Sequence, residues 1–178
     1  MATDHKLTAC TTQSADAAVA NAGIVVPDNV RVCLQSFNRF SVEELYLMLR
    51  LRSEVFVLEQ QCLYEDIDGA DQDAMHVLVW QRHKLLGYGR LLPPDSDQPR
   101  VRIGRIIVAS AWRGAGYSRW LIRLLRACAE QLWPGTCIEL SAQTHLQGLY
   151  QSCGFSACGQ PYDEDGISHI NMRWQAHV

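Results

Sequence analysis

No stretch of the chain holds the roughly 18 or more consecutive apolar residues that a membrane-spanning helix needs, so no membrane span is expected. The opening segment, MATDHKLTACTTQSADAAVANAG, lacks the basic-then-apolar order of a secretory signal. Lysine is scarce: of sixteen basic residues only Lys6 and Lys84 are lysines, a bias that codon usage explains without any functional reading. The formal net charge of −3 gives no reason to expect a nucleic-acid-binding surface. Among the seven cysteines (Cys10, Cys33, Cys62, Cys128, Cys137, Cys153 and Cys158) no C-x-x-C pair occurs, which excludes the common zinc and redox motifs. Their odd number and their place in apolar runs suit free thiols acting as small hydrophobes, and hence a reducing, cytoplasmic setting without structural disulfides.

What is present is enough apolar material for one sizeable core: 48% of 178 residues are hydrophobic. No repeat or low-complexity block interrupts the chain after residue 29. Residues 1–28, small and polar, read as a flexible or loosely docked extension, and residues 29–178 as a single domain. VRVCLQSF predicts a first strand, and SVEELYLMLRLRSEVFVLEQ a helix whose Ser41 and Glu44 have capping-box spacing. MHVLVWQ and KLLGYGRLL predict two strands around a turn at Arg82-His83, and PPDSDQP a loop. In VRIGRIIVA the apolar phase changes beside Gly104, which fits either a β-bulge or a strand buried on both faces. An amphipathic helix follows, stopped by Pro134-Gly135, then the strand TCIELSAQ and a short helix ended by Gly154. Late strands at Phe155–Cys158 and Ile167–Trp174 flank the turn-rich GQPYDEDG. The order defines an α/β chain of the α+β kind, built around one sheet.

The most telling stretch is IIVASAWRGAGYSRWLIRLLRAC, where a strand hands over to a helix through Arg113-Gly114-Ala115-Gly116. A helix start leaves main-chain N–H groups unpaired and carries partial positive charge, and glycines let a ligand approach without a Cβ in the way. A pyrophosphate would satisfy those donors, with Arg113 adding charge, although such a turn can also serve only to redirect the chain. It is neither a P-loop, which ends in Gly-Lys-Ser/Thr, nor the dinucleotide fingerprint G-x-G-x-x-G.

Arg113-Gly114-Ala115-Gly116-Tyr117-Ser118 does resemble the R-x-x-G-x-G/A acyl-CoA loop of the GNAT N-acetyltransferases, with Ser118 replacing the usual small last residue. GLYQSCGF (148–155) resembles the helix-then-turn element of the same superfamily. LYLMLRLRSEVFVLEQQCLYEDIDGAD and YDEDGISHINM resemble its ElaA-like branch, and the likeness spans roughly residues 35–174. The resemblance implies a single mixed, mostly antiparallel sheet flanked by helices and splayed between the strands at 101–109 and 136–142. Acetyl-CoA would lie in that cleft as co-substrate, its pantetheine against the backbone of Ile106, Ile107 and Val108, its diphosphate on residues Arg113 to Ser118, and Gln143 orienting an amide. A backbone N–H would polarise the thioester carbonyl. Tyr150 would be the general acid for the departing thiolate. For the base, Glu139, His76 and His145 are the candidates.

The acidic run Glu65, Asp66, Asp68, Asp71 and Asp73 fits a solvated loop or a funnel for a cationic acceptor amine, which Asp163, Glu164 and Asp165 could close from the other side. It does not fit an EF-hand, because Gly69 comes too early after Asp66-x-Asp68, and no metal is expected. Cys62 and Cys153 read as packing residues, since direct transfer needs no covalent intermediate. The expected activity is therefore acetyl transfer from acetyl-CoA to a primary amine of a small molecule or peptide, by direct attack in a ternary complex. A non-catalytic acyl-CoA sensor is the alternative, and an acyl-homoserine-lactone-type synthase a third class on a similar fold. Monomer and homodimer fit the sequence equally well.

Overall fold

The computed structural model describes residues 13–62 and 64–175. Its frame is a seven-stranded sheet in the order β1-β2-β3-β4-β5-β7-β6. The strands are β1 (Val30–Ser36), β2 (Met75–Gln81), β3 (Lys84–Leu92), β4 (Val101–Val108), β5 (Ile138–Gln143), β6 (Ser156–Glu164) and β7 (Ile167–Trp174). Every neighbouring pair is antiparallel except β4 and β5, which run parallel. That parallel pair is joined only at Val101↔Ile138 and Arg102↔Glu139, so beyond these residues the strands part. The expected splayed sheet is thus observed.

Two helical layers cover the sheet. On one face lie α1 (Gln13–Asn21), α3 (Tyr117–Leu132) and α4 (Gln147–Gln151). Helix α3 buries Leu121, Ile122, Leu124, Leu125 and Cys128 against β-strand residues such as Val77, Val79, Ile103 and Leu140. It sits close to the sheet at Gly89, where an added Cβ would stand 2.5 Å from the buried Leu125 side chain. On the other face α2 (Val42–Arg52) packs Met48 and Leu51 against Leu78, Trp80 and Tyr88. The capping box forms as expected, with Ser41 Oγ accepting from the Glu44 amide and Glu44 accepting from the Ser41 amide.

Three expectations are corrected. The segment before residue 29, expected to be flexible or loosely docked, contains α1, which buries Ala15 and Ala18 in the main core; residues 1–12 lie outside the described residues. Trp120 Nε1 also donates to Val25 O at 2.9 Å, tying the stretch after α1 to α3. The helix expected over 41–60 widens at Ser53–Glu59 into a π-helix, with Gln60 N donating to Val55 O at 2.9 Å. Finally, GQPYDEDG is mostly strand: β6 continues to Glu164, with an irregular register between Cys158 and Tyr162, and only Asp165-Gly166 turns the chain. Pro161 is tolerated there because β6 is the sheet edge.

Candidate active site

The gap between β4 and β5 opens into a cavity of about 450 Å³. A bulge in β4 lies on this gap. In β4, Tyr88↔Ile107 and Arg90↔Gly104 leave Arg105 and Ile106 opposite the single Gly89, a β-bulge at the position where the apolar phase shifts. Arg105 takes a left-handed φ of 54°, which few non-glycine residues adopt. The bulge follows a few residues beyond the last β4–β5 pair, Arg102↔Glu139.

Tyr150 enters the cavity from α4. Its side chain is buried, and its hydroxyl makes no hydrogen bond with the described residues; burial, then the nearby Cys153, push its pKa up to about 12. Ile106 and Gln143 line the same cavity. Val108 points its main-chain polar groups into the gap: Ala109 N donates to Leu86 O at 2.8 Å, and the alternation of an antiparallel ladder turns the next residue the other way. By that alternation the Ile107 amide faces β3 instead, so Ile107 differs from Val108 among the three residues expected along the cofactor.

At the open end of β4 lies the glycine turn. Gly114 and Gly116 have φ values of 85° and 84°, and nothing stands within 4 Å of where a Cβ would project. Gly116 is the N-cap of α3, with no side chain capping the helix, so the first-turn amides, including those of Tyr117 and Ser118, face outward unpaired. Ala115 is exposed, and the Tyr117 ring packs on Trp112 with centroids 4.5 Å apart. Arg113 donates from Nε to Val108 O at 2.9 Å, while its guanidinium is held by Glu59 from the π-helix.

The base candidates fare differently. His76 is fully buried on β2: Nε2 donates to Asp71 O at 2.9 Å and Nδ1 accepts from Tyr88 Oη at 2.8 Å. Burial lowers its pKa, and it does not line the cavity, because the 64–74 segment closes over it. Glu139 sits at the joined end of β4 and β5, paired with Arg100 at 3.1 Å and Arg173 at 2.6 Å. His145 is exposed on the turn before α4, outside the cavity lining. None of the three is brought to the gap.

The acidic run also departs from a simple funnel. Arg52 from α2, fully buried, binds Asp66 at 2.9 Å and Asp71 at 2.8 Å. Arg90 from β3 binds Asp68 at 2.6 Å and Asp71 at 2.9 Å, and Arg105 from the bulge binds Asp66 at 2.8 Å and Asp68 at 3.1 Å. The hydrogen bond from Arg90 holds the Asp68 carboxyl well below the usual carboxylate range. Asp66 and Asp68 are therefore neutralised by arginines, and their pairing fixes the wall rather than leaving free charge. Glu65 and Asp165 do line the cavity with exposed side chains, joined by Glu164. The wall as a whole carries four carboxylates (Glu65, Asp68, Glu164, Asp165) against one guanidinium, Arg105.

Residues not singled out from sequence complete the wall: Phe56 from the π-helix, Gln60 just beyond it, Tyr64, Ser141 and His169. Strand alternation in TCIELSAQ and ISHINM was the available signal, since it sets Ser141 and His169 opposite the core-facing Leu140 and Ile170. Among the described residues no three His, Cys, Asp or Glu side chains group so as to hold a metal ion, and no helix is long and apolar enough to cross a membrane.

A sheet parted beside an uncapped, glycine-led helix start is the architecture of the acyl-CoA-dependent acyltransferases. Residues 35–176 match the Acetyltransferase (GNAT) domain, and the chain belongs to that family. It is 45% identical over 138 residues to protein ElaA of Escherichia coli K12, covering 76% of this chain and 90% of that protein. An acyl-CoA N-acyltransferase structure from Pseudomonas aeruginosa superposes with a TM-score of 0.77 at 42% identity, covering 81% of this chain and 98% of that one. The Escherichia coli ElaA crystal structure gives 0.74 at 41% identity with the same coverage. The ElaA-like resemblance is thereby shown.

Proposed function

We propose that the chain transfers an acetyl group from acetyl-CoA to a primary amine of a small molecule or peptide, by direct attack in a ternary complex. One observation carries this: a buried tyrosine, Tyr150, lines a cavity that runs through the β4–β5 gap, and its hydroxyl has no hydrogen-bond partner among the described residues. Beside a thioester sulfur it has a use.

The diphosphate of acetyl-CoA sits on the open amides from Gly114 to Ser118, with Ala115 contributing its own N–H, and Arg113 exchanges Glu59 for a phosphate oxygen. Pantetheine runs along the gap edge of β4 at Ile106 and Val108, and Gln143 faces it from β5. The neutral amine attacks the thioester carbon, and a main-chain N–H of β4 steadies the developing oxyanion. The C–S bond then breaks, and the thiolate takes the Tyr150 proton. Because burial raises that phenol to about 12, it stays protonated throughout the working range, and the departing thiolate gains basicity in the same desolvated cavity. The excess of carboxylates on the wall, with Glu65 and Asp165 unpaired by arginine, favours a cationic acceptor. These proposals assume a reducing, cytoplasmic setting, in which the cysteines stay free.

Thiol release from acetyl-CoA, followed across polyamines, aminoglycosides and lysine peptides, tests the activity. Turnover with at least one amine, reduced in Tyr150→Phe at unchanged CoA affinity, is expected. CoA binding without turnover, identical in Tyr150→Phe, would overturn it in favour of the sensor.

A further inference from the structure

We infer that His169 is the base that takes the proton from the acceptor amine; this rests on the acyl-transfer reading above. On β7, Ile170 and Met172 point into the core under α3, so His169 stands on the opposite face, where it lines the cavity. Its Nδ1 lies 2.8 Å from Ile167 O. A carbonyl can only accept, so the neutral ring carries its hydrogen on Nδ1 and its lone pair on Nε2. Nε2 has no partner among the described residues. Here is a fixed imidazole with its basic nitrogen free.

The surroundings hold that orientation. Glu164 Oε2 stands 3.8 Å from Nδ1 and accepts a hydrogen bond from Ser141 Oγ at 3.1 Å. Ser141 also meets Tyr162 Oη at 2.6 Å, and the Tyr162 ring stacks on His169 with centroids 6.3 Å apart. The other charged groups facing this space are Asp165 on the same hairpin and Glu65, Asp68 and Arg105 across the cavity. Carboxylates thus predominate around the ring. Glu139, His76 and His145, in contrast, are paired, sealed or outside.

The protons balance as follows. The bound ammonium gives one proton to His169 Nε2, and the amine lone pair forms the C–N bond to the thioester carbon. The C–S bond breaks, the thiolate takes the Tyr150 proton, and the protonated amide nitrogen returns a proton to the phenolate. His169 then releases its proton to solvent, so each turnover yields amide, CoA thiol and one proton.

The test compares amines that do and do not need deprotonation. With an alkyl amine, protonated at about pH 7, His169→Gln should lower kcat/KM by about 10²–10³-fold, as expected for a lost general base. With 2,2,2-trifluoroethylamine, already neutral there, the same variant should stay within a few-fold of wild type. CoA affinity by calorimetry should be unchanged, and added imidazole should partly restore His169→Ala. Equal losses with both amines would overturn the role while leaving acyl transfer standing. No transfer by the wild-type chain to any amine would remove both.

Discussion

Replacing Arg52 by methionine probes how the acidic run is held. Arg52 is fully buried and binds Asp66 and Asp71 from a single guanidinium, also reaching the Asp66 carbonyl. Methionine fills much of the volume but removes the charge and all of these bonds. Asp71, itself buried, keeps only Arg90 at 2.9 Å, and Asp66 keeps only Arg105 at 2.8 Å. Removing one member of a buried ionic cluster costs about 3–5 kcal/mol. The surviving partners place this case at the low end, about 3 kcal/mol, or roughly 6–12 °C in Tm for a chain of this size. Urea unfolding near neutral pH, read as a change in midpoint at constant slope, measures it. A loss under about 1 kcal/mol, the range of exposed ion pairs, would refute the paired network. The carboxylates would then be solvated, and the acidic run would be a funnel after all.

Other outcomes follow from single features. Gly116→Val forces a side chain into left-handed backbone, at about 1–2 kcal/mol of stability, and puts bulk into the space proposed for phosphates; CoA affinity should fall by more than that, and calorimetry showing equal affinity would reject the loop. Glu59→Gln frees Arg113 from a solvent-exposed pair worth at most about 1 kcal/mol. CoA should then bind up to about fivefold more tightly, and unchanged or weaker binding would contradict the exchange. Because burial lowers the His76 pKa, the unfolded chain binds a proton that the folded chain refuses once pH falls below about 6.5. Stability should therefore drop on acidification by up to about 1.4 kcal/mol per pH unit, with a flatter slope in His76→Gln. Asp68 acts in the same direction but lower down: its folded pKa is depressed, so its contribution is lost only as pH falls below the ordinary carboxylate range.

Features written in adjacent residues are legible in the sequence. The capping box, the phase change at Gly104, the amphipathic α3 and the glycine turn each act within one or two turns of chain, and each appears where expected. Helix α1 escaped notice because it packs through Ala15 and Ala18, too small to raise a hydrophobic period. The continuation of β6 beyond Cys158 escaped because it is exposed, so no apolar alternation marks it. The arginine–aspartate network joins α2, β3 and β4 to one loop, pairings that only tertiary structure specifies. His76 looked available until that loop covered it. His169 gained its setting only when β7 paired with β5 and faced β6 across one hairpin.

The most direct measurement is a crystal structure of the chain with bound CoA. The thiol should lie in the parting of β4 and β5 beside the Tyr150 hydroxyl, with the diphosphate on the amides that open α3. CoA seated elsewhere, or its sulfur remote from Tyr150, would contradict the account.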